Sequence, residues 1–159
     1  MPETIILNDH LVQFLESGIP IQIGTRDSFN KTAFTRSWGC KVNDDCQSVI
    51  LFLYRSYMPQ ALKNIRDNGI YAAFFINVFT YETYQLKGTH AKILNDLAPY
   101  RSVLEAFYEA QYSMIENLGL PRTAANSMAG SSIEDYVPVY CPVEECFKQT
   151  PGPGAGDRL

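Results

Sequence analysis

One tryptophan, two histidines and four cysteines are all that this 159-residue chain holds of those types, and each scarcity removes a class of chemistry. His10 and His90 stand far apart, without a ligand-type partner at helical spacing, so no motif supports a histidine metal site or general base. Cys40, Cys46, Cys141 and Cys146 form no C-x-x-C pair and read as reduced, structural thiols. Lys and Arg number 13 against 17 Asp and Glu, the net charge is −4, and no basic run occurs. Nucleic acid and anionic membrane surfaces, which need clustered cations, are poor partners for such a chain. No apolar run reaches the roughly 18 residues of a membrane helix. The opening MPETIILNDH lacks a basic segment and a small-residue cleavage site, so no signal peptide is expected and the cytoplasm is the expected compartment. G-x-S-x-G, G-x-G-x-x-G and the P-loop are all missing. No helix follows the late GPGAG, so it does not read as a phosphate loop, and the carboxylate pairs Asp44-Asp45 and Glu144-Glu145 fall in solvated turns.

What the chain does have is aromatic side chains, ten Tyr and nine Phe, within a 46% hydrophobic composition. The length suits one domain with a sizeable core. A first helix is expected from Asn8, a good cap, to Ser17, ended by Gly18. Ile19, Ile21 and Ile23 alternate with Pro20, Gln22 and Gly24, the mark of a strand with one buried face. Asp27-Ser28-Phe29-Asn30 is turn material, and a second strand over about Lys31–Val42 completes a hairpin. Ser48–Tyr54 (SVILFLY) is apolar throughout and predicts a strand covered on both faces. A short helix follows, with Ser56 as cap, Pro59 in its first turn and Asn68-Gly69 as its stop. Further strands are predicted over Ile70–Phe79 and Thr83–Ile93, then a long helix over Asp96–Leu118 and a loop or frayed turn over 122–132. A last strand covers about Tyr136–Cys141, and the Pro/Gly-rich tail, about 148–159, is expected to lie extended on the surface. Short turns between strands argue for antiparallel pairing in an α+β, mainly β barrel rather than a layered βαβ protein.

Two strands carry candidate chemistry. In Ala33-Phe34-Thr35-Arg36-Ser37-Trp38-Gly39, strict alternation puts Phe34, Arg36 and Trp38 on one face and small residues on the other. A guanidinium between aromatic rings can hold a phosphate or stack on a planar ring, while the small face admits a close approach. An Arg on a solvated face, paired with a carboxylate, would show the same pattern. On the fifth strand Thr83, Gln85 and Lys87 share a face and could donate to a carbonyl or an anion; a plain solvated face would again look alike.

The order and spacing of IQIGTRD, TRSWGCKV, SVILFLY, ALKNIRDNG and YQLKG resemble the FMN-binding split barrel of the pyridoxamine 5'-phosphate oxidase superfamily over about residues 7–95. The closing CPVEECFKQTPGPGAG is similar to the tail of small flavin-nucleotide-binding members. The resemblance implies a single antiparallel split-barrel domain over 1–159, paired as a homodimer, with FMN in the groove between subunits. By the same implication Arg36 and Lys41, spaced as R-x-x-x-x-K, hold the FMN, with Ser37 and Trp38 beside the flavin. Gln85 is the counterpart of a Gln that contacts the isoalloxazine, Lys87 follows it, and Phe52, Leu53 and Tyr54 line the same site. One departure stands out: Ser56-Tyr57-Met58 occupies the position where the oxidases carry a phosphate-gripping Ser-Arg-Lys. Counterparts of the oxidase's substrate-binding Arg and His are also missing, so the resemblance does not extend to pyridoxamine phosphate oxidation. Two functions follow. One is an FMN-dependent oxidoreductase acting on a small molecule, with no catalytic residue that can be named; the other is a non-enzymatic split-barrel module holding haem, a deazaflavin or no cofactor.

Overall fold

The computed structural model describes residues 5–129 and 132–159. The first four residues of the opening segment, and Gly130 and Ser131 of the predicted 122–132 loop, lie outside them. Helix α1 (Asp9–Leu15) begins where Asn8 accepts a hydrogen bond from the Leu11 amide. Strands β1 (Ile21–Arg26), β2 (Thr32–Val42) and β3 (Ser48–Tyr54) follow. Helix α2 (Pro59–Asn68) starts at Met58 with no side-chain cap, not at Ser56, and ends at Gly69 in the left-handed region. Then come β4 (Tyr71–Ile76), β5 (Thr83–Gly88), β6 (Lys92–Ile93), α3 (Arg101–Asn117), β7 (Tyr136–Pro142) and β8 (Glu145–Lys148). Among the described residues no helix is long and apolar enough to cross a membrane.

All eight strands join one antiparallel sheet in the order β6-β7-β3-β2-β1-β4-β5-β8. Its inner face is the core, where Ile21, Ile23, Leu51, Leu53, Ala73, Phe75, Leu86 and Val139 are almost wholly buried. The sheet is curled, for elements at opposite margins touch: the Tyr71 hydroxyl on β4 donates to the Pro142 carbonyl at the end of β7 at 2.9 Å. SVILFLY is covered on both faces, as its composition predicts, with the barrel core inside and the turn Ala98–Tyr100 that leads into α3 outside, where Phe52 meets Tyr100 at 5.6 Å.

Two expectations fail for long-range reasons. The predicted strand Thr83–Ile93 is two strands at opposite margins, because β5 ends at Gly88 and β6 pairs with β7. At Gly88 a Cβ would stand 2.4 Å from the Pro142 carbonyl, so the chain must turn away there. The tail does not simply lie extended either. Glu145–Lys148 adds a strand to β5, and the tail doubles back on it, with Phe147 bridging Arg158 and the Leu159 amide donating to the Cys146 carbonyl at 2.9 Å. The four thiols are unpaired, and burial pushes the Cys40 and Cys141 thiols up and that of Cys146 to about 11, which leaves these three inert.

Candidate functional site

The outer face of the sheet has two halves. Helix α3 packs on one, against Trp38 of β2 and, through the Tyr108 hydroxyl at 2.9 Å, Tyr136 of β7. On the other, no helix packs extensively against β4 or β5 among the described residues, and α3 reaches only its margin, where Phe107 and Gln111 stand beside Gln22 and Arg36. Directly opposed residues point to the same side of an antiparallel sheet, so the register defines rows. One row on the uncovered half reads Arg36, Gln22, Phe74, Gln85 and Phe147. The next row reads Phe34, Gly24, Ala72, Lys87 and Glu145. Phe34 is 58% exposed, and Arg36 has no ion-pair partner among the described residues. At one strand spacing per step, Arg36 and Gln85 stand on the order of 14 Å apart across the face.

Beside Arg36 opens a cleft of about 250 Å³, walled by Thr35, Trp38, Tyr54, Tyr57 and the 127–129 turn. Of the residues expected to hold the cofactor, Arg36, Trp38 and Tyr54 thus meet at one cleft, and Gln85 and Lys87 share Arg36's side of the sheet.

Trp38 walls the cleft but is packed under α3, and Ser37, Phe52, Leu53 and Lys41 lie elsewhere. Trp38 shares Arg36's side of β2, as alternation predicts, but α3 covers it. The β2–β3 register slips by one residue between Ser37 and Cys40, and Gly39 takes a φ of +118°. Trp38 is 5% exposed, stacked on Tyr108 of α3 at 5.4 Å and edge-on to Phe107 at 5.8 Å. Its indole is already occupied and leaves little ring for a flavin. Ser37 faces the core, accepting from the Phe52 amide at 2.9 Å and donating to the Gly39 carbonyl at 3.0 Å, so it ties the bulge together. Phe52 and Leu53 are core residues with no surface to offer, leaving Tyr54 as the only part of the β3 end that reaches the cleft. Lys41 lies past the bulge. It pairs with Glu16 at 3.0 Å and lines a different groove with Gly18 and Ala110, across α3 from Arg36. Lys87 sits over the Phe147 ring at 4.7 Å, and Gln85 accepts from Gln149 at 3.3 Å. Residues that sequence reasoning missed are Gln22 and Phe74, legible only from register, and Tyr57 with the 127–129 turn, which no local signal joins to β2.

Neither histidine belongs to this cleft. His10 Nε2 lies 2.6 Å from Glu82, and His90 Nδ1 lies 2.7 Å from Glu144, which also accepts from the Thr89 amide and hydroxyl. Burial pushes the Glu144 carboxyl up, but the bonds from His90 and Thr89 outweigh it and hold the group below the usual carboxylate range. The sign is fixed by linkage. As pH falls, the unfolded chain takes up this proton first, so the stabilisation is complete above the ordinary Glu value of about 4.3 and is lost as pH drops through the lower folded value. In acid unfolding, Glu144→Gln should flatten the loss of stability below about pH 4.3 and leave the neutral side unaltered in slope.

No protein-family model matches the sequence, and no curated protein matches it. Solved structures do. HupZ of Group A Streptococcus is similar over 94% of this chain and 100% of its own, with a TM-score of 0.56 and 19% identity. A Clostridium acetobutylicum protein related to general stress protein 26 of B. subtilis, in the pyridoxinephosphate oxidase family, is similar over 84% of this chain and 81% of its own, with a TM-score of 0.51 and 18% identity. HutZ, the heme storage protein of Vibrio cholerae, is similar over 91% of this chain and 95% of its own, with a TM-score of 0.50 and 12% identity. At these identities the likeness is one of fold: a curled antiparallel α+β sheet shared with oxidase-like split-barrel proteins.

Proposed function

We propose that this protein binds a flavin nucleotide, FMN, on the uncovered half of the sheet as a homodimer, and serves as a flavin-dependent oxidoreductase for a small molecule. The observation that carries this reading is the row Arg36–Gln22–Phe74–Gln85. It sets an unpaired guanidinium at one end, amide groups along the way, and a flat apolar bed between them. The guanidinium suits a phosphate, offering a planar fork of donors. The Gln22 and Gln85 amides suit the carbonyl and ring nitrogens of a planar heterocycle, and Phe74 suits its face. The residues therefore fit the group, with Arg36 and Tyr54 in place of the wider set that the resemblance implies. Trp38 walls the cleft but its ring is packed against α3, and Lys41, Phe52 and Leu53 lie elsewhere. Bound flavin supplies hydride chemistry; the chain's part is to hold the ring, fix its orientation and shed water from the bed. A second copy laid on the exposed Phe34 row would close the site.

An absorbance spectrum of the purified protein, with its mass in solution, tests the reading. Flavin bands near roughly 375 and 450 nm, or their appearance after FMN is added to a colourless preparation, support it. Arg36→Ala should weaken FMN binding by about 1.5–3 kcal/mol, some ten- to hundredfold in a titration. Unchanged affinity removes Arg36 from the site.

One observation favours a second reading, haem on the same fold. The cleft beside Arg36 is walled by Tyr54, Tyr57 and Met128, and both Tyr and Met serve as axial ligands to haem iron. The fold likeness to a heme storage protein points the same way. A Soret band in place of the flavin bands would select it.

A further inference from the structure

A second cavity lies away from the proposed flavin bed and shares no lining residue with the cleft beside Arg36. It measures about 760 Å³ and sits between α2, β6 and the start of α3. That is room for a ligand of drug-like size. Four cations line it, each from a different segment: Arg55 after β3, Arg66 in the last turn of α2, Lys92 on β6 and Arg101 at the start of α3. Two carboxylates oppose them. Glu134 is spent on an ion pair with Arg101, and Asp96 accepts from the Ala98 amide at 3.0 Å. Arg55, Arg66 and Lys92 have no ion-pair partner among the described residues. In a chain of net charge −4 the lining sets four cations against two carboxylates, a local excess of positive charge. Between the cations the wall is apolar, from Ile65, Leu94, Leu97 and Val137.

We propose that this cavity is a second binding site, specific for a small phosphomonoester with an apolar or aromatic body. Two arginines and a lysine match a dianionic head. Guanidinium forks grip phosphate oxygens in pairs, and the ammonium adds a point charge. The apolar wall takes the body of the ligand, and its burial adds affinity that inorganic phosphate cannot obtain. The site is independent of the flavin reading, since it uses neither Arg36 nor Gln85.

Calorimetric titration of the full chain with phenyl phosphate, inorganic phosphate and phenol tests it. Phenyl phosphate should saturate at one per chain and bind more tightly than either fragment. In the double variant Arg66→Gln/Lys92→Gln its affinity should fall at least about tenfold, the loss of one charged hydrogen bond. Lys31→Gln, an exposed cation outside the cavity, should change nothing, and a melting curve of each variant confirms folding. FMN affinity should survive the double variant and fall in Arg36→Ala. Failure of phenyl phosphate to saturate by about 10 mM, binding undiminished in the double variant, or phenol binding as tightly as phenyl phosphate, overturns the proposal. If FMN is lost in the double variant but kept in Arg36→Ala, this cavity holds the nucleotide and the flavin bed on the sheet is wrong.

Discussion

Phe52→Ala should destabilise the protein by about 3–5 kcal/mol, the cost of emptying an aromatic side chain from a closed core. Phe52 has no exposed surface, and its ring packs against Tyr100 at 5.6 Å beneath the start of α3. Its amide is also the one that Ser37 accepts at the β2 bulge. Truncation therefore opens a void at the point where α3 meets the sheet, and α3 cannot settle into it without pulling on Trp38. For a domain of this size the melting temperature should drop by roughly 6–20 °C. The functional corollary separates two roles. A residue that merely lined the flavin site would lose affinity with little loss of stability. Phe52→Leu, which keeps most of the volume, should melt close to the parent and bind FMN as the parent does. A near-parental melt for Phe52→Ala would overturn the placement of Phe52 in the core.

Gly88→Ala comes next, at about 3 kcal/mol, the upper end of ordinary overpacking costs. A Cβ there would meet the Pro142 carbonyl at 2.4 Å and Tyr71 Cε1 at 2.7 Å. The carbonyl is backbone and cannot rotate aside, and it already accepts the Tyr71 hydroxyl, so moving it breaks that bond as well. Gly119 is the control, for a Cβ there meets nothing within 4 Å, although its φ of +80° still charges the usual left-handed cost, about 1 kcal/mol. Chemical denaturation of the two alanine variants should rank Gly88 well above Gly119. The reverse ranking would show that the margins do not meet as described.

Local pattern carried the strand core. The continuous apolar run of SVILFLY, the isoleucine alternation of β1 and the Asn8 cap each depend on neighbours within a few residues, and each is found where the pattern puts it. What could not be read is set by contacts distant in sequence. Nothing near Trp38 says that Tyr108, seventy positions on, stacks on it, and alternation alone cannot place a one-residue slip at Gly39. Thr83–Ile93 contains no proline, so the pattern runs straight through a break imposed by Pro142. In the tail, glycine and proline outweigh Phe147 and Arg158 by composition, yet those two make the bridge. The candidate site divides likewise: Arg36 and Gln85 are visible as residue types, whereas the row joining them exists only once β1 and β4 lie between.

The connections at Gly88–Lys92 and at Pro142–Glu145 each carry the chain from one margin of the sheet to the other. Both are only a few residues long, and the second is stitched to the first by Thr89 and Glu144. An ordinary open sheet can fray from an outer strand, because that strand has one neighbour and a slack tether. Here β6 and β8 are outermost by pairing but are held by taut straps to the far side. Neither can peel away without dragging β5 or β7 with it. Opening the seam is thus tied to dismantling most of the barrel, and the molecule should come apart in a single step rather than by erosion.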